Sequence, residues 1–272
     1  MSQESSKNPV SSFSGKDAWT IAREVARSAG ELLLEWWPKL KEISDEGDND
    51  IVTNVDKAAE ILIRDELARQ FPTHGFYGEE LKGDHLESGF VWVVDPIDGT
   101  RNYAMGIPFF SIVVALAKDG EVVTGVNYDP LRDEMFHAAL GCGAFLGEDK
   151  IKVSSRESLD GSVIGTDAAY GEDNGTEKTL QMLRRLWPRL SSVRMNGSSA
   201  LGISYAASGR LDIYVHHSLQ PYDQAAGLLL IEEAGGLATD RYGYRAKLNS
   251  DGIIATSALL HEDFIKATIK RT

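Results

Sequence analysis

Phe90-Val-Trp-Val-Val-Asp-Pro-Ile-Asp-Gly-Thr-Arg101 is the stretch from which the rest of the chain can be read. Phe90 to Val94 is a short continuous apolar run rich in β-branched residues, which predicts a buried strand ending at Asp95. Pro96 then fixes φ and removes an amide donor, while Gly99 permits a backbone path closed to bulkier residues. A turn this tight aims two carboxylates, Asp95 and Asp98, at one point. Held close they repel unless a cation lies between them, and hard oxygen ligands suit magnesium rather than zinc or copper. Beyond them, the amides of Gly99 and Thr100 can open a helical turn, whose free N–H groups and dipole attract phosphate. Asp-Pro and Asp-Gly are also favoured turn dipeptides, so the two acids gain weight only from company.

That company is present. Gly78-Glu79-Glu80 forms an acidic turn upstream, and Asp223 supplies a third acidic position far along the chain. Each has an alternative explanation, surface charge for Glu79-Glu80 and helix N-capping for Asp223. Outward from this centre the pattern is of interleaved helices and strands. From Lys16 to Trp37, Ala18, Ile21, Ala22, Val25, Ala29, Leu32, Leu33 and Trp36 recur at helical spacing, with Pro38 just past the end. Glu42 to Asp50 carries five acids and no base, which predicts a mobile loop. Thr53 and Asp56 open a capped helix that runs to Phe71 and stops at Pro72. Phe109–Ala117 and Glu121–Asn127 flank the turn former Asp119-Gly120 and predict a hairpin, with short strands following through Phe136 and Phe145. Further helices are predicted over Glu177–Leu190, Ser198–Ser208, Asp223–Ala234 and Leu259–Ile269. Strands are expected near Ser162–Gly165, Leu211–Val215 and Gly252–Thr256. No regular βαβ rhythm appears, so a layered α+β or α/β fold with extensive antiparallel pairing is expected rather than an eight-unit barrel. The expected division is a disordered tail over 1–15, one half over 16–150 and another over 151–272, with the junction in Lys150–Asp160.

Composition narrows the function. Of 272 residues 42% are apolar and 25% charged, ordinary globular usage that excludes collagen, coiled-coil and wholly disordered chains. The net charge of −13 argues against a nucleic-acid grip and favours a metal ion or cationic ligand. The single cysteine, Cys142, cannot build a disulfide within the chain or a cysteine-based zinc site, and is expected to be a small buried apolar residue. The polar N-terminus lacks the features of a secretory signal and no apolar run has membrane-spanning length, so the cytoplasm, without membrane contact, is the expected setting. Arg184, Arg185, Arg189 and Arg194 are expected on a solvated helix face, and Trp36-Trp37 against a neighbouring element or subunit.

Six segments together resemble the magnesium-dependent, lithium-sensitive inositol monophosphatase family: Asp50-Ile-Val-Thr-Asn-Val-Asp56, Gly78-Glu-Glu80, Trp92-Val-Val-Asp-Pro-Ile-Asp-Gly-Thr100, Gly197-Ser-Ser-Ala200, Tyr222-Asp-Gln-Ala-Ala-Gly227 and Glu233-Ala-Gly-Gly236. Their order and spacing agree from about Trp19 to the C-terminus. The resemblance implies an αβαβα sandwich of mixed and antiparallel sheets, and a cluster of two or three Mg2+ ions where its halves meet. Manganese would substitute there, and calcium and lithium would inhibit. It implies Glu79, Asp95 and the Ile97 carbonyl as ligands of a first metal, and Asp95, Asp98 and Asp223 of a second. Glu79 would serve again in a weaker third site. It implies further that the Thr100 hydroxyl and Asp56 carboxylate orient and deprotonate the attacking water, although Asp56 also reads as a capping-box residue. A homodimer is the family's usual assembly.

Such an ion cluster neutralises a phosphate dianion, yields a nucleophile near neutral pH and stabilises the leaving alkoxide, so neither a histidine base nor a covalent serine is needed. Hydrolysis of inositol monophosphate leads, with histidinol phosphate and fructose 1,6-bisphosphate as alternatives and a catalytically idle binding protein as the non-enzyme one. Asp98, Gly99, Thr100, Gly197, Ser198, Ser199 and Asp223 are the expected substrate contacts, although Ser-Ser at a helix start is equally good capping. His216 stands seven places before Asp223, where inositol-acting relatives typically carry glutamate. His216 and His217 either contact the substrate or cap a strand end.

Overall fold

A computed structural model of the chain describes residues 12–37, 39, 43–47, 50–168 and 175–268. Helix α1 (Ala18–Trp36) starts where the Asp17 carboxylate accepts the Thr20 amide at 2.7 Å. It buries the predicted stripe from Ile21 to Leu33. A two-stranded antiparallel ribbon, β1 (Ile43–Gly47) and β2 (Asp50–Thr53), leads into α2 (Asn54–Gln70).

The large sheet takes seven strands in spatial order: β3 (Gly75–Gly78), β4 (Phe90–Asp98), β5 (Ser111–Lys118), β6 (Glu121–Asp129), β7 (Glu134–Ala139), β8 (Gly143–Leu146) and β9 (Asp149–Lys150). Strands β3 and β4 run parallel, and every later pair is antiparallel. A short helix, α3 (Thr100–Met105), sits between β4 and β5. The predicted hairpin turn holds Asp119 and Gly120 at φ 50° and 84°, the doubly positive geometry that matches strand twist.

The smaller sheet is mixed, in the order β11 (Ser192–Arg194), β10 (Val163–Thr166), β12 (Ile213–His216), β14 (Ile253–Ser257), β13 (Gly236–Thr239). Four helices complete the chain: α4 (Gly175–Leu186), α5 (Ser199–Ala207), α6 (Pro221–Glu233) and α7 (Ala258–Thr268). α1 and α2 cover one face of the large sheet, α5 and α6 fill the space between the sheets, and α4 and α7 close the far side. This is the expected α+β sandwich of αβαβα layers.

Strand periodicity explains the layering. Trp92, Val94, Ile112, Val114 and Leu116 face α1 and α2, while Val93, Val113, Ala115 and Ala117 face Ala225 and Ala226 of α6. The second face is small, so α6 lies close to the sheet. At Gly125 in β6 an added Cβ would stand 2.8 Å from the Ala226 Cα and 3.0 Å from its carbonyl oxygen.

Several expectations are corrected. Ile43–Gly47 and Asp50–Thr53 pair as strands where repulsion among acids predicted a loop; the ladder satisfies backbone N–H and C=O groups. Glu42, Asp48, Asn49 and the tail before Ser12 lie outside the described residues, as does Pro38. Ser12 to Gly15 turns back toward α2, with the Phe13 amide donating to the Gln70 carbonyl at 2.9 Å. Cys142 is exposed, in the turn between β7 and β8. Helix α4 stops at Leu186 rather than Leu190, just before Pro188. Arg189 is no solvated bystander: it pairs with Asp160 at 2.7 Å and Asp263 at 2.8 Å. Trp37 packs against a neighbouring element as expected, 4.9 Å from Phe110 and 5.4 Å from Tyr103 between ring centres.

Replacing Gly125 with alanine forces α6 off the sheet or strains it, and is expected to lower unfolding free energy by about 1–3 kcal/mol. A urea titration with an unchanged midpoint would show that the helix yields at no cost.

Candidate active site

Asp95 and Asp98 are three residues apart, which in a regular strand would set them on opposite faces. A bulge removes that problem. Asp95 stands opposite Val113 and Asp98 opposite Ser111, so three steps on β4 match two on β5 and both carboxylates turn the same way. The Ile97 amide donates back to Asp95 Oδ1 at 2.9 Å, fixing the turn. With Asp223 from the first turn of α6, these acids each present a carboxylate oxygen within 4.8 Å of the others.

Glu79 reaches the same place by a different route. It follows β3, whose Gly78 pairs with Val94, so the next residue comes up beside Asp95. The turn is shaped by Glu60, wholly buried on α2, which accepts the amides of Glu80 and Leu81, each at 2.8 Å. A Cβ at position 78 would lie 2.2 Å from the Glu60 Oε1, so only glycine lets the carboxylate approach the backbone there. Glu79 Oε2 is buried without a hydrogen-bond partner.

Asp98 is cradled by the start of α5. Its Oδ1 accepts the Ser199 amide at 3.0 Å, and its Oδ2 accepts the Ala200 amide at 3.0 Å, the Ser111 hydroxyl at 3.1 Å and the Ser198 hydroxyl. Asp56 divides its two oxygens. Oδ2 closes the capping box of α2 by accepting the Thr53 amide at 2.9 Å, and Oδ1 lies 3.0 Å from the Thr100 hydroxyl. Asp223 likewise spends Oδ2 on the Gln220 amide at 2.8 Å. Capping and a place in the cleft are compatible for both acids.

Burial raises the carboxyl pKa of Glu79, Asp95, Asp98 and Asp56. Repulsion adds to it, chiefly from Asp223 at Glu79 and from Glu79, Asp98 and Asp223 at Asp95. The hydroxyls and amides around Asp98 pull the other way without cancelling burial. An all-oxygen donor set, three acids within 4.8 Å and an unpartnered buried Glu79 oxygen fit a hard divalent cation. The acids open onto a cleft of about 660 Å³.

Residues 16–271 match the model of the inositol monophosphatase family. The chain belongs to that family. Inositol monophosphatase 2 of Solanum lycopersicum is 38% identical over 254 residues, covering 91% of this chain and 96% of that protein. Nus factor SuhB of Xylella fastidiosa is 38% identical over 240 residues, covering 87% and 86%. The crystal structure of the extragenic suppressor protein suhB from Bartonella henselae superposes with a TM-score of 0.88 at 35% identity, over 93% of this chain and 98% of that one. Members of the inositol monophosphatase family are phosphatases, generally metal-dependent, and the acid cluster supplies the matching donors.

Of the residues singled out by sequence, Glu79, Asp95, Ile97, Asp98, Gly99, Thr100, Gly197, Ser199, His216 and Asp223 all line the cleft. Asp56 lies behind Thr100, and Ser198 is buried beneath Asp98. The structure separates the two histidines: His216 lines the cleft, whereas His217 lines a smaller pocket with Arg241, Tyr242 and Phe264. Sequence reasoning missed Glu60, Asn102 and Asp167. Asn102 ties the segment between α3 and β5 to the turn before α5, its Nδ2 donating to the carbonyls of Phe109 and Asn196, each at 2.7 Å. Glu60, one helical turn beyond Asp56, carried a positional signal; Asn102 and Asp167 carried none.

Carboxyl groups whose folded pKa is raised hold more protons in the native state than in the unfolded one, so metal-free stability falls as pH climbs from the ordinary value, about 4, through the raised one. A divalent ion replaces those protons. Added magnesium is therefore expected to raise the melting temperature more at about pH 8 than at about pH 5. Thermal scans showing equal shifts at both pH values would contradict it. Glu60→Gln turns an amide NH2 toward backbone donors and is expected to weaken Mn2+ binding about tenfold by paramagnetic resonance; wild-type affinity would remove Glu60 from the support of Glu79.

Proposed function

We propose that the protein hydrolyses a small phosphate monoester, inositol monophosphate foremost, with magnesium as the resident metal. The observation that carries this reading is the convergence of Asp95, Asp98 and Asp223 within 4.8 Å at the floor of the cleft, beside the paired Thr100 and Asp56. Glu79, Asp95, the Ile97 carbonyl, Asp98 and Asp223 would hold two or three ions. Bound there, magnesium supplies positive charge for the phosphate dianion and lowers the pKa of water. Manganese substitutes, and calcium and lithium inhibit.

The chain's own residues account for the proton. Thr100 Oγ lies 3.0 Å from both Asp56 Oδ1 and the Ile97 carbonyl oxygen. Thr100 accepts a proton from water as it passes its own to Asp56 Oδ1. The water oxygen bonds to phosphorus, and the bond from phosphorus to the alcohol oxygen breaks. Burial raises Asp56 above the ordinary carboxyl range, which makes it a better proton acceptor than an exposed aspartate. No nucleophilic serine or cysteine is required, and the alcohol leaves with a proton from solvent. At φ +97° Gly99 turns the chain into α3, whose first residues, Thr100 and Arg101, line the same cleft.

Histidinol phosphate and fructose 1,6-bisphosphate are the alternatives within the family, and an idle regulatory protein is the alternative outside enzymology. The name Nus factor SuhB, carried by several relatives, supports that last alternative. A cytoplasmic homodimer without nucleic-acid or membrane contact is the proposed setting. Among the described residues no helix is long and apolar enough to cross a membrane.

Phosphate release from these three substrates, with magnesium present, chelated or competed by lithium, tests the reading. Wild type is expected to turn over inositol monophosphate fastest and only with the metal, and Asp95→Asn to lose activity by at least about a thousandfold while keeping its circular dichroism. Turnover by the variant at the wild-type rate, or no release from any substrate, would overturn it.

A further inference from the structure

Strands β10 and β12 are parallel neighbours with Thr166 paired to Val215. The next residue on each, Asp167 and His216, therefore stands at the carboxyl end of the pair, where ligands of parallel strands bind. Both line the cleft that holds the acid cluster. Asp167 lies outside that cluster and has no part in the proton transfer described above.

Its carboxylate is held rigidly. Oδ1 accepts the Gly197 amide at 2.8 Å and Oδ2 accepts the Tyr214 hydroxyl at 3.0 Å. The same Tyr214 oxygen lies 3.2 Å from the Ser199 hydroxyl. Each carboxylate oxygen has two lone-pair directions, so acceptor capacity remains even with the Asn196 amide also pulling on the group. Burial pushes the Asp167 carboxyl up to about 6, against the pull of the Gly197 and Tyr214 bonds, and leaves it chiefly ionised at neutral pH. On His216, Nδ1 lies 3.3 Å from the Ser218 amide and accepts from it, which places the proton of the neutral ring on Nε2. An acceptor and a donor thus stand side by side.

We infer that Asp167, with His216 beside it, selects the alcohol half of the substrate by binding neighbouring hydroxyl groups of a polyol phosphate. One hydroxyl donates to the carboxylate while the next accepts from the imidazole. An ammonium group would also suit Asp167, so the test includes the ester of an amino alcohol. The inference rests on the phosphatase reading, and it narrows the substrate to alcohols with adjacent hydroxyls.

The test compares inositol 1-phosphate, 4-nitrophenyl phosphate and phosphoethanolamine at saturating magnesium. Asp167→Asn is expected to lower the ratio of kcat/KM for the inositol ester over the nitrophenyl ester about tenfold, through KM rather than kcat, and to raise the inhibition constant of free inositol by a similar factor. Tyr214→Phe removes one anchor but leaves the carboxylate, and is expected to preserve more of that ratio than Asp167→Asn. Near-ultraviolet circular dichroism separates misfolding from lost recognition, and Asp167→Glu, with the charge retained, serves if the amide variant does not fold. An unchanged ratio, equal losses on both esters, or a loss confined to phosphoethanolamine would overturn the assignment of Asp167. Absence of turnover by the wild type on all three esters would instead remove the phosphatase reading beneath it.

Discussion

Mutual repulsion among buried carboxylates is the constraint around which this cleft is organised. At a separation of 4.8 Å, two ionised acids in a partly screened protein site repel by about 3 kcal/mol. The fold answers in part with helix ends. The first turns of α2, α3, α5 and α6 all come to the site, bearing Asp56, Thr100, the amides that hold Asp98, and Asp223. One helix N-terminus offsets roughly 0.3–2 kcal/mol of negative charge. That is too little for an acid facing several others, so the remainder must come from protons or from divalent cations. The raised pKa values of Glu79 and Asp95 express the first solution, and an oxygen-donor metal site is the second.

Economy of atoms follows from the same crowding. Asp56 and Asp223 each stand third in the first turn of a helix, and each uses one oxygen to cap the backbone of the residue that precedes the helix. A capping box fixes the side-chain rotamer, so the second oxygen is presented without further ordering cost. Glu60 acts one turn beyond Asp56 and shapes the neighbouring acidic turn through backbone amides alone. A single helix therefore supports both the Thr100 side and the Glu79 side of the cleft.

Elements with strong local signatures were legible in the sequence. The stripe of α1, the Thr53–Asp56 cap, the Asp119-Gly120 turn and the apolar run of β4 depend on near neighbours, and the structure contains all four. Short strands such as β3, β11 and β13 carry too few residues to display a period, and their existence depends on partners far along the chain. The acids of the site were legible because turn chemistry and a family resemblance marked them. Asp167 and Asn102 were not, since an aspartate after a strand or an asparagine within a short helix looks ordinary until the fold sets it against the Asn196–Gly197 turn. Cys142 failed for the opposite reason: its residue type favours burial, but the turn at 140–143 exposes it.

The acids that meet in the cleft are dispersed from Glu79 to Asp223, with α6 contributing the last of them. During synthesis the ribosome releases Asp95 and Asp98 well before α6, and a nascent chain at that stage has only part of the basket. Tight capture of a divalent ion must then wait until most of the polypeptide has emerged and the two sheets have closed over α5 and α6. On the metal-dependent reading proposed above, metal loading would follow late in synthesis, because a chain that ends before α6 lacks Asp223.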